Sequence, residues 1–181
     1  FLWLPFTDGD ALMAHLGMSG QFRLDASGSP PPQQCRVEFT FTDGGPELRF
    51  ADQRMFGGLW LSPGGAELPV EVAHIARDLF DPLLDVEALV TDIRRRRSGI
   101  KRVLLNQTIV SGIGNIYADE SLWQARVHYE TSADRLRSPR VRELLAAASE
   151  VMAGALAAGG TSFDALYVNV NGSSGYFGRS L

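Results

Sequence analysis

The hydrophobic period of this chain changes at Pro69, and that change limits the possible folds more than any other feature. Before it, the short apolar runs "FLWLPF", "ALMAHLGM", "QFRLD", "CRVEFTF", "PELRFAD" and "GGLWLS" are separated by "TDGD", "SG", "ASGSPPPQQ", "TDGG" and "SPGG". Runs spaced about 8–12 residues apart and bounded by Gly, Asp and Pro predict antiparallel strands of a sandwich or barrel over residues 1–70, with "TDGD" and "TDGG" as hairpin turns. After Pro69, "VEVAHIARDLFDPLLD" reads as a connector with a little helix, stopped by Pro82 and spanning about 71–88. From "DVEALVTDIRRRRSG" onward the spacing is helical. Asp85 caps a helix whose apolar face is Val86, Leu89, Val90 and Ile93. The run "IKRVLLNQTIV", a glycine turn and "IYADESLWQARV" follow. "SPRVRELLAAASEVMAGALAAGG" predicts a long amphipathic helix with Ser138 as N-cap, Pro139 in its first turn and Gly159-Gly160 as its stop. The expected fold is α+β: an antiparallel β-sandwich, a helical domain over 89–160, and a loop over 161–181.

Of the 181 residues, 45% are hydrophobic and 21% charged, as in ordinary globular proteins. No apolar run approaches the roughly 18 residues of a membrane span. A single cysteine, Cys35, excludes an internal disulfide or a multi-cysteine zinc site within these residues. These features fit a cytosolic protein with no membrane partner. The net charge of −4 opposes nucleic-acid binding on average, but "RRRRSGIKR" at 94–102 concentrates positive charge with no acid. Lys101 is the only lysine among 17 basic residues, so this position is expected to need an ammonium.

The stretch "SGIGNIYADE" at 111–120 lies between two apolar helical runs. Asn115 is expected to cap the second helix, and Gly114 to leave the helix mouth bare. Free N–H groups there carry partial positive charge and accept an anion. With Lys101 and the four arginines upstream they would form a phosphate clamp. The alternatives are a helical hairpin whose glycines only permit close packing, and a solvated arginine face.

Five ordered segments extend this reading. "AHLGMSGQFRL", "FADQRMFGGLWL", "IARDLFDPLLD", "LLNQTIVSGIGNIYADESLWQARVH" and "GGTSFDALYVNVNGSSGYF" together resemble the formamidopyrimidine-DNA glycosylase and endonuclease VIII family, on its formamidopyrimidine branch. The resemblance implies a helix–two-turns–helix domain and double-stranded DNA carrying oxidised bases or abasic sites as partner, bound by a monomeric, cytoplasmic bacterial protein. It implies that Met18, Arg54 and Phe56 enter the space left by a flipped-out nucleotide. It places backbone contacts at Lys101, Gly114 and Asn115, with Arg96 and His15 nearby, and a lesion-facing loop at Ser162, Gly175 and Tyr176. Without it, Met18 and Phe56 read as core residues, His15 equally as a satisfied core histidine, and Arg54 as a surface charge.

The family's nucleophile is an N-terminal proline that forms a Schiff base, followed by a glutamate. A four-cysteine zinc finger at the other end holds one structural zinc. Neither feature lies in this sequence, which is expected to be the inactive middle of a bifunctional glycosylase and abasic-site lyase for oxidised purines. A catalytically inactive DNA-binding relative and a phosphate-binding domain of an RNA-associated protein are the alternatives. Gln34, Cys35 and Arg36 replace a histidine-rich segment, and Asn106 stands at a usual aspartate.

Overall fold

The computed structural model of the protein describes residues 1–158. Phe1–Ala73 and His74–Ala157 belong to different compact units.

The first unit holds six strands: β1 (Leu2–Pro5), β2 (Ala11–His15), β3 (Gly20–Asp25), β4 (Cys35–Phe39), β5 (Glu47–Asp52) and β6 (Gly58–Ser62). They form two three-stranded sheets, ordered β1-β2-β6 and β3-β5-β4, and every pairing is antiparallel. Both predicted hairpin turns are present. Gly9 and Gly44 take φ of +98° and +70°, which suits residues without a Cβ. Ala11, Met13, Ala14 and Phe50 are buried between turns and strands.

β5 departs from simple alternation because Arg49 is buried too. Its guanidinium donates to Glu38 (2.7 Å), Glu47 (2.5 Å), Asp25 (3.2 Å) and the carbonyls of Ser29 and Pro30. Buried charge is tolerated only when paired and hydrogen-bonded, and the rigid guanidinium fork reaches several acceptors at once.

The second unit is helical: α1 (Val86–Arg94), α2 (Ile100–Leu104), α3 (Asn115–Gln124) and α4 (Ser138–Ala157). Leu89, Val90 and Ile93 of α1 pack with Ile100, Val103, Leu104, Leu122, Val141 and Leu144 in one core. Asp85 caps α1 as expected, its carboxylate accepting from the Ala88 N–H at 2.9 Å. Val86, assigned to the apolar face, is exposed.

Two helix boundaries differ from the sequence expectation. The helix through "IKRVLLNQTIV" stops at Leu104. There Asn106 turns its side-chain oxygen onto the Thr108 N–H (3.0 Å) and hydroxyl (2.8 Å) and builds a turn instead, since asparagine competes with the helix for local donors. α4 begins at Ser138 itself, because Arg137 contributes the carbonyl that accepts from Val141. Ser138 uses its hydroxyl to accept from Arg94 at 3.1 Å. The predicted stop at Gly159-Gly160 lies outside the described residues.

α3 ends in a Schellman-type closure: Val127 N–H donates to Leu122 and Arg126 N–H to Trp123, with Arg126 at φ +53°. No helix among the described residues is long and apolar enough to cross a membrane.

Leu104 is fully buried at the centre of the helical core. Leu104→Ala should cost about 2–5 kcal/mol. Urea unfolding followed by the helical circular-dichroism signal measures this, and a loss below about 1 kcal/mol would show that Leu104 does not hold the helices together.

Candidate functional site

The β unit carries its expected site residues on two loops, 16–19 between β2 and β3 and 53–57 between β5 and β6. Gly17 takes φ +60°, and a Cβ on it would lie 2.6–2.8 Å from backbone atoms of Phe56 and Gly57. The loops therefore meet backbone to backbone. A Cβ on Gly57 would fall 2.7 Å from the Phe50 ring and 2.9 Å from the His15 carbonyl.

A buried carboxylate ties the loops together. Asp52 Oδ1 accepts from the Ser19 hydroxyl at 2.5 Å and from the Arg54 N–H at 3.2 Å, while Oδ2 accepts from the Gly57 N–H at 2.7 Å. Ser19 Oγ also accepts from the Arg54 N–H at 3.0 Å. Burial pushes the Asp52 carboxyl up, but the Ser19 hydroxyl and the amides of Gly57, Arg54 and Met55 outweigh it, so the net shift is downward. The backbone of Asp52 is held as well, by the Gln34 carbonyl on its N–H and by Arg36 Nε on its carbonyl at 2.8 Å. The Gln34-Cys35-Arg36 segment thus anchors the loop base, with Arg36 at a bulge in β4.

The tips carry Met18, Arg54 and Phe56 into solvent. Met18 is 53% exposed and Phe56 65%, so neither is a core residue. Arg54 is exposed, and its Nη1 lies 3.7 Å from Met18 Sδ. Met55 between Arg54 and Phe56 takes φ +56°. His15 is exposed at the end of β2. Its Nδ1 accepts from the Gly17 N–H at 3.2 Å, and its ring lies 4.8 Å from that of Phe1.

The helical unit gathers Lys101, Gly114 and Asn115. Gly114, not Asn115, is the N-cap of α3, with φ −96° and no side-chain cap; Asn115 is the first helical residue and is exposed. A Cβ on Gly114 would meet nothing within 4 Å, so the helix mouth is open. Gln107 shapes the approach: its amide donates to the carbonyls of Leu105 (3.1 Å) and Ile113 (3.0 Å), and its oxygen accepts from Gly112 at 2.9 Å. Gly112 takes φ +85°. Lys101 Nζ lies 2.7 and 2.9 Å from the two carboxylate oxygens of Asp119, one turn along α3 from Asn115.

The arginine run does not act as one cluster. Arg94 donates to the Leu136 carbonyl and to Ser138, which ties α1 to the start of α4. Arg96, just past the end of α1, pairs with Asp92 at 2.8 Å. Ser162, Gly175 and Tyr176 lie outside the described residues. A separate groove of about 780 Å³ runs along Asp119, Trp123, Arg126 and Tyr129 and includes none of the expected site residues. Among the described residues no group of three or more His, Cys, Asp or Glu side chains could hold a metal ion, so they do not fit the zinc set of the family.

Sequence patterns missed Asp52, Ser19 and Gln107. Asp52 was visible as the first residue of the "DQRMFG" segment, and Gln107 as a polar interruption of an apolar run. Because the folded Asp52 is more acidic than usual, its contribution to stability is complete above the ordinary aspartate value of 3.8 and is lost as pH falls through the lower folded value. Asp52→Asn should therefore destabilise the β unit by about 1.5–3 kcal/mol near neutral pH and flatten this part of its acid sensitivity. Urea titrations near neutrality and in acid test it; unchanged neutral stability would remove Asp52 as the anchor.

Comparison with known proteins places both halves of this geometry in one family. Residues 1–59 match the model of the formamidopyrimidine-DNA glycosylase N-terminal domain, and residues 75–166 match that of the formamidopyrimidine-DNA glycosylase H2TH domain. The chain is 61% identical over 183 residues to the formamidopyrimidine-DNA glycosylase of a Nocardioides species, covering 100% of this chain and 62% of that protein. It is 57% identical over 181 residues to that of Salinispora arenicola, covering 100% and 63%. The chain thus spans under two thirds of the length of these relatives. Crystal structures of the Lactococcus lactis Fpg are similar. The complex with DNA containing an oxidised pyrimidine gives a TM-score of 0.81 at 29% identity, over 95% of this chain and 62% of that one. The complex with abasic-site DNA gives 0.78 at 28% identity, over 96% and 62%. With the two domain models matched in order along the sequence and relatives above half identity across its whole length, the chain belongs to the formamidopyrimidine-DNA glycosylase family.

Proposed function

We propose that these residues are the lesion-probing and backbone-gripping part of a base-excision repair enzyme that acts on double-stranded DNA. The observation that carries this reading is the exposed trio Met18, Arg54 and Phe56, held on two loops by the buried Asp52 carboxylate. Exposed apolar side chains on a rigid, polar-anchored loop are costly to keep in water and suit insertion into a base stack. Extruding a nucleotide costs a few kcal/mol of stacking and pairing. Met18 and Phe56 refill the gap, and Arg54 offers its donors to the orphaned partner base. The open mouth of α3 at Gly114 and Asn115, with Lys101 beside it, grips the sugar-phosphate chain. His15 and Arg96 add further phosphate contacts. The complexes of the Lactococcus lactis protein with damaged and abasic DNA support the same partner class.

For the whole protein, the reaction is removal of oxidised purines such as 8-oxoguanine and formamidopyrimidines, followed by strand cleavage at the abasic site. The nucleophile is an N-terminal proline amine that attacks C1′ and forms a Schiff base. A secondary amine loses its proton readily enough for this chemistry near neutral pH. Neither that proline nor the zinc finger with its structural zinc is among the 181 residues. Ser162, Gly175 and Tyr176 are assigned to the loop that faces the lesion, and the protein acts as a monomer.

Two measurements test this. Met18→Ala and Phe56→Ala should weaken binding to a duplex with a tetrahydrofuran abasic analogue by about tenfold or more, from the lost apolar burial, and change binding to intact duplex by about twofold or less. Equal losses on both duplexes would remove the wedge assignment. A polypeptide of these 181 residues, incubated with 8-oxoguanine duplex and borohydride, should yield no covalent adduct; a trapped adduct would show that it carries its own nucleophile.

A further inference from the structure

Asp119 has no role in the reading above, yet it is the residue Lys101 touches. Lys101 extends from the first turn of α2, and its ammonium meets both oxygens of the Asp119 carboxylate, at 2.7 and 2.9 Å. Asp119 is four residues after Asn115 on α3, so the carboxylate stands one turn from the bare helix mouth at Gly114. Its side chain is 57% exposed, against 26% for Lys101, and the ammonium is its only hydrogen-bond partner among the described residues.

Stability does not explain this pair. Exposed ion pairs add little to folding, and the benefit of an acid near a helix N-terminus fades beyond the first turn. In a phosphate clamp, however, a carboxylate beside the cation is unfavourable. An arriving phosphate meets an ammonium that is already neutralised and a negative charge within one helical turn.

We infer that Asp119 is an internal counterion that competes with DNA phosphate for Lys101 and weakens the sequence-independent grip of the protein. This inference rests on the DNA-binding reading proposed above. The competition does not depend on a lesion, because the phosphate is present in every duplex. It therefore lowers affinity for intact and damaged DNA alike and leaves discrimination to Met18, Arg54 and Phe56. Release of Lys101 from an exposed ion pair costs up to about fivefold in affinity. The salt dependence carries a second signature. Each phosphate that a cation neutralises contributes about −0.9 to the slope of log affinity against log salt. A cation with a carboxylate still beside it contributes less.

The test measures binding of the 181-residue chain to intact and tetrahydrofuran duplexes over a range of salt, for the wild type, Asp119→Asn, Lys101→Met and the double variant. Asp119→Asn should tighten binding to both duplexes by about two- to fivefold at low salt and steepen the slope by up to about 0.9. Asp119→Ala should change both in the same direction. In the Lys101→Met background, Asp119→Asn should produce a clearly smaller gain, since only the bare repulsion of the carboxylate is then removed. Unchanged or weaker binding by Asp119→Asn overturns the proposal, since it would make the carboxylate inert or an orienting group for Lys101. An equal gain in the Lys101→Met background also overturns it, since the effect would then be the general field of the protein. A wild type that binds neither duplex at low salt overturns the DNA-binding reading, and this proposal with it.

Discussion

Asp52 closes β5 and takes hydrogen bonds from the Ser19 hydroxyl of one loop and from amides of the other. A carboxylate removed from water without partners costs several kcal/mol, so this position is stable only while Ser19, Arg54, Met55 and Gly57 supply donors. Because the acceptor is charged, each bond is worth more than a neutral one, about 1.5–3 kcal/mol. The anchor needs no side chain from the tips. Met18, Arg54 and Phe56 are therefore free to face solvent. It also tolerates strain: a non-glycine residue at positive φ, as at Met55, costs about 1–2 kcal/mol, which is within reach of one such bond.

The helical unit reaches a similar result with a neutral group. Gln107 satisfies two carbonyls and one amide in the segment that reverses the chain, and Asn106 turns it away from the helix. The reversal is held by the side-chain amides of the exposed Asn106 and the half-buried Gln107, and Gly114 stays bare. An amide suits this place better than a carboxylate. A negative charge at this half-buried position near the first turn of α3 would oppose the partial positive charge that the free N–H groups present. In both units a polar side chain fixes the backbone of the loop, buried at Asp52 and half-buried at Gln107, and the loop surface is left to the groups that would meet a ligand.

How much of this the sequence revealed follows from how local each signal is. The strands were legible because apolar alternation and turn residues lie within a few positions of one another. The motif segments were legible because each is contiguous. The end of α2 was not, since "LLNQTIV" keeps a helical apolar spacing while Asn106 acts through its side chain. Gly114 as the cap was missed because asparagine is the commoner cap and glycine offers no side-chain signal. Asp52 and Ser19 are 33 positions apart, and Lys101 and Asp119 are 18 apart, so neither pairing can be read from spacing. Met18 and Phe56 show the limit most clearly. Hydrophobicity assigned them to the core, the family motifs assigned them to the surface, and the structure exposes both.

The distribution of charge bears on the apparent conflict between a net charge of −4 and the nucleic-acid partner proposed above. Many cations of the helical unit already have local acids: Arg77 with Asp81, Arg96 with Asp92, Lys101 with Asp119 and Arg142 with Glu87. Arg94 and Arg140 are engaged with backbone carbonyls. Arg95, Arg97, Arg102, Arg126, Arg135 and Arg137 are exposed and have no ion pair among the described residues. On the DNA-binding reading proposed above, the paired cations must first leave their own acids, which weakens the part of the grip that charge alone supplies. On the same reading, discrimination comes from contacts that do not scale with phosphate number. The exposed methionine, arginine and phenylalanine are of that kind, since their gain depends on a space in the stack and not on the backbone charge that every duplex shares.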